Sequence, residues 1–140
     1  MSTQNNKQML VSDVMMSVDH APVIKSDVIL KEAMEVMGQT RLGIVCIVND
    51  NFKLLGILTD GDIRRKLLKV QKPFSALFVD DALDHGIQSP VTIKSSDALK
   101  YAVDLMEQKR VWDLPVVDDA GVLVGLLHLH PAVQVLLSGR

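Results

Sequence analysis

The apolar positions of this chain fall into two copies of one pattern. In the first copy Leu30, Ala33, Met34 and Met37 stand at i, i+3, i+4 and i+7, which is one face of a helix. Ile44-Val45-Cys46-Ile47-Val48 is then an unbroken apolar run closed by Asn49-Asp50-Asn51, the signature of a buried strand and a turn. Leu54–Leu58 is a second such run and completes a strand–turn–strand unit. In the second copy Leu99, Ala102, Val103 and Met106 repeat the helical face. Leu114–Val117 and Val122–Leu127 repeat the strands across Asp118-Asp119-Ala120-Gly121. Pro22-Val23-Ile24 predicts a short extended lead into the first helix. Ser26 or Asp27 is expected to cap that helix, and Gly38 to loosen its end. Gly61-Asp62 is expected to open a further helix with Ile63, Leu67 and Val70 on one face. Pro131 is expected at the first position of the counterpart helix, where a missing N–H costs little.

Laid over one another, Val23–Leu58 and Thr92–Leu127 match without a gap at an offset of 69 residues, with 14 identities. Among these are Lys25/Lys94, Ser26/Ser95, Arg41/Arg110, Val48/Val117, Asp50/Asp119 and Gly56/Gly125. The fold class is therefore α/β, as two strand–helix–strand–strand–helix repeats related by a pseudo-two-fold. The expected boundaries are a flexible polar lead-in over 1–10, repeat one over 11–70, a connector over 71–80 broken by Pro73, and repeat two over 81–140. A repeat of about 60 residues is marginal as an independent fold, so one composite core is expected.

Composition narrows the function classes. The chain is 48% hydrophobic and 23% charged, an ordinary globular balance, and with only 4% aromatic residues its core must be aliphatic. A formal charge of −2 gives no basic surplus for nucleic acid. No apolar run is long enough to span a bilayer, and the polar start lacks a secretory core, so the cytoplasm is the expected compartment and no membrane partner is expected. The single cysteine, Cys46, rules out an internal disulfide and reads as inert core. No catalytic constellation and no complete metal-ligand set is present, so no catalytic and no metal residue is assigned. His128 and His130, spaced as His-x-His on a strand, would share one face, but nothing nearby completes a metal site.

The two copies end differently. After the matched glycine the first reads Ile57-Leu58-Thr59-Asp60-Gly61-Asp62-Ile63-Arg64-Arg65, and the second reads Leu126-Leu127-His128-Leu129-His130-Pro131. Thr59, Asp60 and Gly61 at a strand-to-helix junction are ordinary N-cap chemistry. They are also a nucleotide site in outline. Asp62 can accept two hydrogen bonds from a ribose diol, Thr59 can donate to a phosphate oxygen, and helix-start N–H groups favour the same anion. The two roles are compatible. His128 stands where Thr59 stands and Pro131 where Asp62 stands, so a second equivalent site is not expected. Arg64-Arg65, cations at a helix start, suggest pairing with phosphate or with an acid of the other repeat, against the alternative of a solvated helix face. Arg41 and Arg110 read as structural or rim residues.

The duplicated pattern, Leu114-Pro115-Val116-Val117-Asp118, and Gly56-Ile57-Leu58-Thr59-Asp60-Gly61-Asp62 together resemble a tandem pair of CBS domains, a Bateman module, over about Val11 to Leu137. More narrowly, Leu42-Gly43-Ile44, the Thr-Asp-Gly-Asp-Ile-Arg-Arg string and Gly125-Leu126-Leu127-His128-Leu129-His130 are similar to the C-terminal CBS pair of bacterial D-arabinose-5-phosphate isomerases. That type usually has Asp where this chain has Pro131. The string also occurs in CBS pairs attached to sugar nucleotidyltransferases. The resemblance implies a regulatory nucleotide sensor of Kdo, lipopolysaccharide or capsule biosynthesis, with no isomerase chemistry of its own. It implies a site of Thr59, Asp60 and Asp62, walled by Val23-Ile24 and Leu42-Gly43-Ile44, with His128 or His130 reaching the phosphate. It further implies no required cofactor, a ribonucleotide effector of AMP or ATP type or a CMP-sugar, a homodimer, and an attached or partner sugar-phosphate isomerase. The alternatives are a nucleotidyltransferase module and a purely structural dimerisation module.

Overall fold

In the computed structural model, which describes residues 8–138, each long element of the first copy has a counterpart 69 residues further on. Helix α1 spans Leu30–Thr40, strand β3 Ile44–Val48, strand β4 Leu54–Thr59 and helix α2 Asp60–Lys69. Their counterparts are helix α5 at Leu99–Lys109, β5 at Asp113–Val117, β6 at Leu123–His128 and helix α6 at Leu129–Ser138. Between the copies lie two short helices, α3 at Phe74–Phe78 and α4 at Ala82–His85. Ahead of them come a 3-10 turn at Val11–Asp13, β1 at Met16–Ser17 and β2 at Val23–Lys25.

The chain divides into two compact units. Ala21–Pro90 forms one, and the described residues on either side of it form the other. Sheet order is β2-β3-β4 in the first and β1-β6-β5 in the second. β2 runs parallel to β3, while β3/β4, β5/β6 and β1/β6 are antiparallel. In the second copy the strand corresponding to β2 is reduced to one parallel bridge, Ile93 to Val116. Where one composite core was expected, each unit carries its own. Ile24, Leu30, Ala33, Val45, Ile47 and Leu58 pack in one, and Val11, Leu99, Ala102, Leu114, Val116 and Leu127 in the other.

The reason lies in the segments that precede each copy. Val11, ahead of copy one, is fully buried in the core of copy two. Ala82, ahead of copy two, is fully buried in the core of copy one. Each segment thus enlarges a core that a repeat alone would leave short of apolar area. Main-chain bonds hold them there. The first N–H of α1 donates to Asp80 O at 2.8 Å, and that of α5 to Met9 O at 2.8 Å. Ser26 and Asp27 were expected to cap α1. The N-cap is instead Ile29, with no side-chain bond, because the neighbouring backbone satisfies the helix start. Of the predicted lead-in over 1–10, residues 1–7 lie outside the described residues, while Leu10 bridges Ala98. In the connector, the Asp80 carboxylate meets His85 Nε2 at 2.9 Å and Lys72 Nζ at 3.2 Å. No described helix is long and apolar enough to cross a membrane.

Several matched positions of the two copies now have causes. Arg41 and Arg110 are left-handed C-caps with φ of 60° and 56°, so Gly38 lies inside α1 rather than ending it. Asn49 and Asp118 each accept two turn N–H groups on Oδ1. Lys25 and Lys94 donate to the main-chain oxygens of those same turn residues. Gly56 and Gly125 are places where the preceding segment crosses β4 or β6: a Cβ would sit 2.6 Å from Ile87 O or Met16 O. Gly56→Ala should therefore lower stability by about 1–3 kcal/mol in urea denaturation, since main chain rather than a side chain must yield. A loss no larger than that of an exposed alanine substitution would show that the segment is not held there.

Candidate functional site: the strand-to-helix junction of each copy

Thr59 ends β4 and is the N-cap of α2, which places Asp62 at the third helical position. The two side chains cap one another. Asp62 N–H donates to Thr59 Oγ1 at 3.2 Å, and Thr59 N–H donates to Asp62 Oδ2 at 3.1 Å. The Thr59 hydroxyl also donates to Asp62 Oδ2 at 2.9 Å. Arg65, one turn on, donates to Asp62 Oδ1 at 2.8 Å. Thus Arg65 pairs with an acid of its own helix, not with one of the other repeat. The Asp62 side chain is 11% exposed and Arg65 64%. The junction is a capping box, and it orders a carboxylate at a helix start while leaving that carboxylate one acceptor position.

Strand alternation sorts the remaining predicted residues. Thr59 pairs with Ile44, and Val23 with Cys46, so Val23, Ile44 and Thr59 share one face of the sheet. Ile24 points the other way, into the core with α1, so only its backbone can contribute to a wall on that face. Leu42 is half-buried just ahead of β3. Gly43 has φ of +70°, its oxygen accepts the Asp60 N–H at 3.0 Å, and a Cβ there would lie 2.7 Å from Asp60 Oδ2. Gly43 and Asp60 therefore form one contact. They line a hollow of about 320 Å³ with Met34, Met37, Gly38 and Arg41. A neighbouring hollow of about 370 Å³ is lined by Met34, Asp60, Ile63, Arg64, Leu67, Leu68 and Phe74. Thr59, Asp62, Val23, Ile24, Leu42 and Ile44 line neither of these two.

His128 and His130 belong to the other unit. They do not share a strand face as expected: His128 ends β6, and His130 is the second residue of α6. Pro131 is accordingly the third residue of α6 rather than the first, a position whose N–H would also have no helical partner. His128 faces Asp113 across β5 and β6, in the register that pairs Ile44 with Thr59 in the first copy. Its Nδ1 is 2.8 Å from Asp113 Oδ1. The side chains are 27% and 9% exposed for His128 and Asp113. Burial raises the Asp113 carboxyl above its ordinary 3.8, against the smaller lowering effect of the His128 hydrogen bond. Sequence reasoning missed Asp113. The signal was there only for a reader with the strand register, which sets position 113 opposite 128.

A duplicated α/β frame, with a carboxylate-bearing capping box at one junction and a carboxylate–imidazole pair at the other, defines a tandem pair of small α/β domains. The chain belongs to the CBS domain family, whose pattern matches residues 11–69 and 84–130. It is 34% identical over 122 residues to an uncharacterized protein of Helicobacter pylori, covering 86% of this chain and 35% of that one. It is 32% identical over 124 residues to the arabinose 5-phosphate isomerase KdsD of Yersinia pestis, covering 89% and 36% respectively. The chain thus spans about a third of the length of these relatives. Among solved structures, CBSX2 in complex with AMP, a CBS-pair protein of Arabidopsis thaliana, superposes with a TM-score of 0.80 at 26% identity, over 91% of this chain and 96% of that one.

Thr59→Ala removes one cap and one partner of Asp62, and should cost about 1 kcal/mol in thermal or urea unfolding. No measurable loss would mean that the reciprocal cap is not formed in solution. Asp113 gives a pH signature of opposite sense to a paired surface acid. With its native value raised above 3.8, its contribution is complete below that pH and is lost as pH rises through the native value. Asp113→Asn should flatten that part of the stability–pH curve, and an unchanged curve would contradict the assignment.

Proposed function

We propose that this chain is a regulatory nucleotide-sensing CBS pair whose first copy holds the ribose and phosphate of an adenosine-type or other ribonucleotide at the β4–α2 junction. The observation that carries this reading is the capping box. It holds the Asp62 carboxylate in place before any ligand arrives, beside N–H groups and a helix dipole that favour an anion. Three bonds occupy the carboxylate, of which the Arg65 pair is the weakest hold. An exposed pair of this kind contributes about 0–1 kcal/mol, so a ribose diol can take its place and leave the guanidinium free for phosphate. The Thr59 hydroxyl spends its proton on Asp62 in the ligand-free chain and turns to donate to a phosphate oxygen only on binding. Val23, Ile44 and the Leu42-Gly43 backbone supply the wall for the base, with Asp60 seated on Gly43 and Ile24 contributing main chain alone. His128 or His130 supplies the phosphate contact of the second copy.

AMP in the CBSX2 complex supports an adenosine-type ligand. The likeness to the Yersinia pestis isomerase supports a parent or partner D-arabinose-5-phosphate isomerase of Kdo, lipopolysaccharide or capsule biosynthesis, for which a CMP-sugar product is the competing effector. In this reading the chain needs no cofactor, works in the cytoplasm as a homodimer, and performs no isomerisation itself. Exposed Leu68 and Phe74, flanking the larger hollow, fit a role in pairing. Regulation then requires the nucleotide to bind one arrangement of the repeats better than another.

Calorimetry with AMP, ATP and CMP tests the site. Asp62→Ala should weaken the best ligand by about 10- to 150-fold, the 1.5–3 kcal/mol of a hydrogen bond to a charged group. Because Asp62 also caps α2, the variant's melting temperature must be taken alongside. A folded variant with unchanged affinity removes the ribose role.

A further inference from the structure

The pair Asp113–His128 occupies positions that hold Ile44 and Thr59 in the first copy, so the fold does not require a carboxylate there. Burying one is costly unless it is paired, and an isoleucine at that place incurs no such cost. The carboxylate is nine-tenths buried and its recorded partner is one ring nitrogen of His128, whose side chain keeps more than a quarter of its surface open. We propose that Asp113 is a positioning residue: it holds the Nδ1–H of His128 and presents Nε2 as the atom that meets an anionic oxygen. The inference deepens the nucleotide reading and, in its binding arm, rests on it.

The chemistry follows from which nitrogen carries the proton. With Nδ1–H given to Asp113, Nε2 of the neutral ring is an acceptor and offers nothing to a phosphate oxygen. When the ring takes a second proton, Nε2–H donates a charge-assisted bond to that oxygen while Asp113 balances the charge from behind. Anion binding at this position therefore follows the ring's proton. The titratable partner that the ring meets is Asp113 from β5, and the exposed His130 stands two residues on, in the first turn of α6. β1, along the other edge of β6, brings Met16 and Ser17 and no charge. Thr59 in the first copy has no comparable proton to gain, so of the two junctions only the second can vary its anion contact in this way.

Two measurements test this. Nitrogen-15 NMR of the imidazoles in the nucleotide-free chain, at alkaline pH, should show His128 as the Nδ1-protonated tautomer. Asp113→Ile, which restores the first copy's residue, should return it to a mixture. A mixture in the parent chain overturns the proposal whatever the chain binds. AMP affinity is then compared at about pH 5.5 and 7.5 in the parent, Asp113→Ile and His128→Gln chains. The phosphate of AMP itself titrates near pH 6 in all three, so the difference between chains is what counts. The parent should gain about tenfold more on acidification than either variant, and equal gains overturn the link between Asp113 and binding. If AMP binds none of them at either pH, the nucleotide reading fails, and the tautomer alone decides the role of Asp113.

Discussion

Two main-chain hydrogen bonds of 2.8 Å, from Leu30 to Asp80 and from Leu99 to Met9, tie each preceding segment to the first turn of a helix in the copy that does not follow it. The rest of the architecture depends on this exchange. It satisfies helix starts that have no capping side chain, adds a strand or bridge to each sheet, and delivers Val11 and Ala82 to cores that would otherwise lack them. Gly56 and Gly125 are glycines because that crossing leaves no room for a Cβ. The unit around copy two is therefore built from two separated stretches, while that around copy one is the continuous run Ala21–Pro90, and neither copy is a complete structural piece by itself.

Within that shared frame the two junctions have diverged by a handful of side chains. Both end a strand and open a ten-residue helix at the same register. The first uses Thr59 and Asp62 to cap reciprocally, which is stabilising and also holds a carboxylate ready for hydroxyls. The second has Pro131 where that carboxylate would be, and has moved the acid across the sheet to Asp113, where it can reach a neighbouring ring but is largely shielded from solvent. One backbone thus carries two kinds of polar chemistry, a reciprocally capped carboxylate in the first copy and a carboxylate–imidazole pair in the second.

Much of this was legible in the linear chain. The apolar runs named both helical faces and all four long strands, because burial of a helix stripe or a sheet leaves a period that composition alone does not hide. The gapless match carried the second copy's elements to within a residue. Thr59, ahead of Asp60 and Gly61 at a strand end, read as N-cap chemistry, and the structure makes it the cap, with Asp62 as a reciprocal partner that the reading had kept for ribose alone. What was misread depended on contacts between distant residues. Ser26 and Asp27 looked like caps until Asp80 supplied the carbonyl, and His128 and His130 looked like one face until the strand ended between them.

The chain's own residue order determined the repeat, the alternation of elements, the aliphatic character of the cores and the chemical difference between the two junctions, because those are properties of neighbours along the backbone. Which copy each preceding segment joins, that Gly43 is pinned by Asp60, and that Asp113 sits opposite His128 were decided only by tertiary structure. Each depends on strand register and on main-chain hydrogen bonds between residues far apart in sequence, and a linear pattern carries no record of which distant carbonyl a given N–H will find.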